Sequence, residues 1–510
     1  MKTLFRYLFA GAILLMLCFL FVGCDAGGDY PMFGYGDAGV YYPDEEGIYS
    51  PQNQSGLQEN PFLTTKTKPI STFSADVDTA SYTLFRKHVN SGYAWSSMQS
   101  DYVGGNIRTE EMLNYFKYDY AEPAEGDLFG VQAKIVPSPW NQDYHLLMIG
   151  LKATDAEKPV GNNLVFLVDV SGSMDNKEKL PLLQKTFSYL VENLTENDRV
   201  SIVTYASGER VVLEGCPGNR YEEIMHAINS LHADGSTNGQ AGLERAYEVA
   251  QQNFIEGGNN RIIMASDGDL NVGISDPEQL KSFVEKKRNA GICLSVLGFG
   301  SGNFRDDNME TLADHGNGVY YYIDGEVEAE RIFASELTST LYTVANDVKL
   351  QVTFNPDYVR KYRLIGYENR ILSEEDFTDD TKDAGDVGAG HTLTVCYEIK
   401  LVDFLDWPEL EEGSAHTFMN LAVRWKNPGD SESQERNYSI GQSNVVEQMD
   451  DDLRFACAVI ETAMLLHKSE YAGDSSLDGV LELLASMDEK DFYQQEFEGL
   501  IKKLHTTSGG

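Results

Sequence analysis

Basic residues are scarce: 40 Lys and Arg stand against 80 Asp and Glu in 510 residues, a formal charge of −40. Nucleic acids and anionic lipid surfaces are gripped by clustered Lys and Arg, so this deficit argues against both as ligands of the folded chain. Acidity suits cation binding and solubility but names no partner, and most of it reads as solvated surface. Cysteine is scarce too. With Cys18 and Cys24 set aside, Cys216, Cys293, Cys396 and Cys457 remain, and no CxxC pair is present, which disfavours zinc. Cys293 and Cys396 fall in apolar strands and Cys457 in a helical pattern, so buried free thiols are expected, with one bridge left open. The nine His are scattered, and neither H-E-x-x-H nor G-x-S-x-G occurs. No solenoid-length repeat appears. A catalyst is therefore the least supported class, with a hydrolase as the remote alternative.

Long apolar runs are also lacking, with one exception at the start. Lys2 and Arg6 precede an apolar stretch from Tyr7 to Val22, followed by Gly23 and Cys24. A basic lead and a short apolar run describe a secretory signal rather than a comfortable membrane span. Cys24 after Gly23 resembles a bacterial lipobox, with Phe21 where Leu is usual, which implies residues 1–23 as a lipoprotein signal peptide and Cys24 as the lipidated residue. Acyl chains there would hold the protein at the cell envelope, on the periplasmic face or the cell surface. Residues 24–68 are rich in Gly, Tyr, Pro, Asp, Asn and Gln without a period, and read as a flexible tether.

Apolar residues make up 42% of the chain, enough for large cores, and its length suggests about three domains. Residues 69–158 read as an α+β region, with helices Ser81–Asn90 and Thr109–Phe116 and strands Val131–Val136 and Leu146–Leu151. Over 159–345 strands and helices alternate. Leu164–Val168 and Arg261–Ala265 are apolar throughout, as strands buried on both faces are. A final helix is expected from Val327 to Val344. The alternation predicts an α/β, doubly wound, mostly parallel sheet. Residues 346–443 carry extended runs (Val348–Phe354, Thr392–Leu401, Thr417–Trp425) and read as β-rich. Residues 444–510 return to helical spacing, as in Phe455, Val459, Ala463 and Leu466.

The first strand of the alternating segment ends in Asp169-Val170-Ser171-Gly172-Ser173. In a doubly wound sheet ligands sit outside the carboxyl ends of strands. Three oxygen-bearing side chains at alternate positions of a tight turn can converge on one ion, with Gly172 relieving crowding. The loop Gly235-Ser236-Thr237-Asn238 and Asp267, just after the strand 262–265, are expected beside it. Asp169, Ser171, Ser173, Thr237 and Asp267 form a set of hard oxygen ligands that suits Mg²⁺, with Mn²⁺ or Ca²⁺ as alternatives.

This set resembles the von Willebrand factor type A domain and its metal-ion-dependent adhesion site. The resemblance implies that Ser171, Ser173 and Thr237 touch the ion, that the two Asp act partly through water, and that one position stays open for a carboxylate of a protein partner. Carboxylates acting through water offset the ion's charge incompletely, which leaves a field that attracts an acidic group. Pro69–Thr79, Val136–Asn141, Asp267–Gly273, Tyr362–Arg370, Asp383–Gly385 and Gly388–His391 further resemble the bacterial YfbK-like lipoproteins over roughly residues 65–505. The C-terminal part of that group is a domain of unknown function, so the likeness implies architecture without a reaction. The expected function is metal-dependent binding of a protein partner, or alternatively a scaffold in an envelope complex, possibly ATPase-linked, with a structural metal.

Three features have competing readings. Asp76-Val77-Asp78-Thr79 fits the signature of haloacid-dehalogenase-type phosphotransferases, but residues 80–158 are too short and mixed for that fold, so a structural turn or cap is expected. Tyr320–Tyr322 should cap a sheet edge. Asp306-Asp307 and Asp379-Asp380 read as solvated loops.

Overall fold

The computed structural model describes residues 58–508, apart from 102, 156–159, 237–238, 269–276, 301–305, 336–340 and 409–414. The signal 1–23, Cys24, the tether up to 57, Thr237 and the Leu270–Gly273 end of the 267–273 motif lie outside the described residues.

The first four strands among the described residues are β1 (Leu63–Thr64), β2 (Ile70–Ser74), β3 (Phe129–Pro137) and β4 (His145–Ala153). The next six build the central sheet: β5 (Asn162–Asp169), β6 (Arg199–Tyr205), β7 (Glu209–Pro217), β8 (Asn259–Ser266), β9 (Cys293–Phe299) and β10 (Tyr320–Ile323). Their order is β10-β9-β8-β5-β6-β7. All neighbours are parallel except β7, which returns antiparallel to β6. This is the predicted doubly wound sheet. The continuous apolar run of β5 is explained by its two faces. Leu164, Phe166 and Val168 point into the core shared with helices Leu180–Val191 and Tyr221–Asn229. Val165 and Leu167 point into the core under helices Gly239–Gln252 and Pro277–Arg288. Phe166 stacks on Phe187 with centroids 4.1 Å apart. Helix Gly239–Gln252 lies so near β6 that a Cβ on Gly242 would stand 2.6 Å from Tyr205 Cβ, so only glycine permits this approach.

Six further strands follow: β11 (Thr343–Phe354), β12 (Val359–Ile365), β13 (Gly385–Gly388), β14 (Thr392–Leu401), β15 (Thr417–Lys426) and β16 (Ser433–Gly441). They do not form a β-rich unit of their own. One sheet runs β1-β12-β14-β4-β3, the other β13-β11-β15-β16 with β2 paired on β11, and Phe73, Leu147, Val352 and Tyr397 share the core between them. The flanks 69–158 and 346–443 are two halves of one antiparallel sandwich, with the α/β segment inserted between them. The helical ends join in the same way. Ala80–Asn90 and Thr109–Asn114 pack with Asp451–His467, Leu477–Ala485 and Phe492–Ser508 around Tyr82, Phe116, Phe455 and Phe497.

Two boundaries differ from expectation. The tether gives way to structure before residue 68: β1 pairs with β12, and Asn60 Nδ2 donates to Gly366 O at 2.8 Å. The helix expected from Val327 to Val344 is present over Glu326–Glu330 and continues as a wider π turn over Arg331–Ser335, beyond which 336–340 lie outside the described residues. Thr343 already begins β11, where pairing of Thr343 and Ala345 with β13 overrides local helical spacing.

Candidate metal centre

Asp169 is the last residue of β5, and the turn after it is pinned from both sides. Val170 N–H donates to Tyr205 O (3.0 Å), Gly172 N–H to Gly235 O (3.0 Å) and Asp234 N–H to Val170 O (2.7 Å). The D-x-S-x-S turn is thereby fixed against the end of β6 and the start of the 235–238 loop. Gly235 has φ +85°, and a Cβ there would stand 2.5 Å from Ser207 Oγ, so this approach also needs glycine. Thr237 falls outside the described residues, two positions beyond Gly235.

Asp169, Ser171 and Ser173 lie together at the carboxyl end of β5. Asp169 Oδ1 accepts from Ser171 N–H at 2.8 Å, and Ser266 Oγ donates to Oδ2 at 3.3 Å. Ser171 Oγ and Ser173 Oγ lie 3.0 Å apart. Asp267, directly after β8, lies near enough for its charge to act on Asp169. Burial pushes the Asp169 carboxyl up to about 6; hydrogen bonds from Ser171 and Ser266 oppose the shift and the charge of Asp267 adds to it. A buried carboxylate beside a second one is costly without a cation. The hydroxyl spacing also equals the edge of an octahedron whose bonds are about 2.1 Å, the Mg²⁺–oxygen length. Donor chemistry and spacing both fit the ion that the family implies.

Lys179 was not foreseen. Its Nζ donates to Asp267 Oδ2 at 2.7 Å and to Ser173 O at 2.9 Å, placing one positive charge at the rim. A lone lysine six residues past Ser173 carries no motif, so only the fold reveals it. Lys87 approaches the same edge from helix Ala80–Asn90, donating to Gly300 O at 2.9 Å and to the Tyr322 hydroxyl at 2.6 Å.

The D-x-D-x-T segment is a structural turn. Asp76 follows β2 in the antiparallel sandwich, not a parallel strand of its own sheet. Asp78 N–H donates to Asp76 Oδ1 (3.0 Å), Arg370 Nε to Asp76 Oδ2 (3.1 Å) and Arg370 Nη2 to Asp78 Oδ2 (3.4 Å). Asp78 Oδ1 accepts from Tyr320 N–H at 3.2 Å, which caps the edge strand β10. This turn joins the sandwich to the central sheet. Thr79, although it precedes helix Ala80–Asn90, makes no side-chain cap bond. Tyr320–Tyr322 form β10, the edge strand, as expected. Asp380 does more than face solvent: it accepts from Arg424 at 2.9 Å and Ser433 Oγ at 2.6 Å. Cys216, Cys293, Cys396 and Cys457 are all free thiols.

A parallel sheet with one antiparallel edge and a D-x-S-x-S turn at its carboxyl edge defines the von Willebrand factor type A class. Three family models match: "von Willebrand factor" over residues 50–148, "von Willebrand factor type A domain" over 163–335 and "Uncharacterized protein YfbK, C-terminal" over 339–507. Uncharacterized protein YfbK of Escherichia coli K12 is 40% identical over 467 residues, spanning 88% of this chain and 80% of that protein. The chain belongs to the YfbK-like family of bacterial von Willebrand factor type A proteins. The inter-alpha-trypsin inhibitor heavy chain H3 of Mesocricetus auratus is 28% identical over 196 residues, 36% of this chain and 22% of that one. A solved von Willebrand factor type A protein from Catenulispora acidiphila aligns over 77% of this chain and 91% of its own, with 15% identity and a TM-score of 0.42. Domains of this class commonly mediate protein–protein interaction and often carry a metal ion, which supports a binding or scaffold role.

Proposed function

We propose that Asp169, Ser171 and Ser173, with Asp267 and Thr237, bind a divalent cation, Mg²⁺ ahead of Mn²⁺ or Ca²⁺, and that the ion recruits a carboxylate on a protein partner. The observation that carries this reading is the buried Asp169 carboxylate, pushed up to about 6, beside two hydroxyls 3.0 Å apart. The ion would supply charge and an open coordination position. The protein supplies oxygens, a turn held by backbone hydrogen bonds, and a net negative surface that repels acidic partners at long range. Recognition is therefore short-range and ion-dependent, since the repulsion is screened beyond about 8–10 Å. The protein acts by binding rather than by catalysis.

The reading is tested by pull-down from envelope extracts with and without chelator. Partners that are lost with chelator and lost again in Asp169→Ala support the adhesion site. A partner set indifferent to both favours a scaffold and sinks the adhesion reading. We place the protein at the bacterial cell envelope through a lipid on Cys24. Among the described residues no helix is long and apolar enough to cross a membrane. Cys24→Ser should move the protein from the membrane fraction to the soluble one; unchanged fractionation rejects the lipid anchor.

A further inference from the structure

We propose a second cation site, at the amino edge of the central sheet, formed by Glu285, His315 and Asp383. Glu285 lies on helix Pro277–Arg288 and His315 ends helix Asp306–His315. Asp383 belongs to the sandwich, in the turn before β13. His315 is followed by Gly316 and Asn317, whose carbonyls accept from Leu294 N–H near the start of β9 and from Arg261 on β8. The cluster therefore sits at the end of the sheet opposite Asp169.

The spacing points to an ion. His315 Nδ1 stands 3.6 Å from Glu285 Oε1 and 3.7 Å from Asp383 Oδ2, and one ligand atom from each of the three lies within 4.8 Å of the others. Those separations are longer than a hydrogen bond, and buried Nδ1 has no hydrogen-bond partner. They match the edge of a tetrahedron with bonds of about 2.2 Å, where a late first-row divalent ion holds imidazole and carboxylate. A buried imidazole nitrogen without a partner is costly, and an ion between the three groups would satisfy it. Arg288 Nη1 donates to both Asp383 oxygens at 2.9 and 3.0 Å. It orients the carboxylate as outer-shell partners orient metal ligands, and two carboxylates against one guanidinium leave a negative balance. A cavity of about 260 Å³ lined in part by His315, Asp383 and Asp386 opens beside the cluster, giving water access to the remaining position.

The mixture of one nitrogen and two oxygens separates this site from the all-oxygen centre and favours Zn²⁺ as the probe. Two of its ligands come from the α/β segment and one from the sandwich, so a bound ion would fasten one to the other. It would act beside the Asp76–Asp78–Arg370 joint, independently of partner binding at the carboxyl edge.

The test is Zn²⁺ binding to the chelator-treated full-length chain by equilibrium dialysis, in an Asp169→Ala background that silences the first centre. That chain should bind one equivalent. Adding His315→Ala or Glu285→Gln should weaken binding at least tenfold, since even an outer-shell partner is worth about 10–100-fold. Glu285 is 31% exposed, so its conservative variant keeps the test valid if the histidine variant folds poorly. Equal Zn²⁺ binding by the three chains, or none by Asp169→Ala alone, overturns the site. Failure here leaves the Mg²⁺ reading untouched, because Asp169 is absent throughout.

Discussion

The two edges of the central sheet use carboxylates in opposite ways. At the carboxyl edge, Asp169 is buried with hydrogen bonds from Ser171 and Ser266, and Lys179 pairs with its neighbour Asp267. At the amino edge, Asp76 and Asp78 share Arg370, and Asp383 is paired with Arg288. Asp76 and Asp78, neutralised by Arg370, hold the inserted domain to the sandwich, whereas Asp169 keeps an unspent attraction for an ion.

Removing a partner should therefore cost most at the amino edge. Arg370 contacts Asp76 and Asp78 whose side chains are almost wholly buried. Arg370→Met removes the guanidinium that offsets both charges, and breaking a buried pair costs about 3 kcal/mol or more. Chemical denaturation checks this, and a loss below about 1 kcal/mol would mean that the turn is held by its backbone bonds alone. In the metal-free protein, Asp169→Ala should instead leave stability unchanged or raise it, because it deletes a costly buried charge.

Glu461 sharpens the contrast, since it is as buried as Asp169 but belongs to no ligand set. Burial in the helical core pushes its carboxyl up to about 7, against hydrogen bonds from Ser475 and Ser476. Folding favours its acid form, so its contribution is whole below the ordinary value near 4.3 and is lost as pH rises through about 7. Glu461→Gln should match wild type at pH 4 and gain on the order of 3 kcal/mol at pH 8. Mg²⁺ should not alter that difference. If it does, burial alone does not distinguish the two carboxylates.

The Mg²⁺ effect itself is smaller. At ten times Kd an ion that binds only the folded state adds about 1.4 kcal/mol. Thermal unfolding of wild type should show that gain, and Asp169→Ala or Ser171→Ala should abolish it. An equal Mg²⁺ shift in wild type and Asp169→Ala removes this residue from the centre.

What the amino-acid sequence discloses follows the same division. Asp169, Ser171 and Ser173 are legible because three ligands share one turn at the end of an apolar strand, and Asp267 because the run 261–265 marks where its strand stops. The amino edge is illegible because its parts are far apart in the chain: Asp76 meets Arg370 across almost 300 residues, and Glu285 meets Asp383 across about 100. Periodicity reports which face of a strand is apolar, not which strand it pairs with, so Val352 opposite Ser71 is invisible locally. The flanks consequently read as separate segments although they share two sheets. The two-residue strand Leu63–Thr64 is too short to carry a period at all.

Lys179 is where the two kinds of edge come closest, and it offers the finest test. Its ammonium lies on Asp267 Oδ2 at 2.7 Å, the position of a resident monovalent counter-charge beside the divalent site. If it only offsets Asp267, Lys179→Met should free that carboxylate and tighten Mg²⁺ several-fold, within about 1 kcal/mol, as expected for one charge near the protein surface. Calorimetric titration of wild type and variant reads this directly. Weaker Mg²⁺ binding in the variant would instead make Lys179 the group that orients Asp267 toward the ion. The carboxyl edge would then depend on a fixed ion pair, just as the amino edge does.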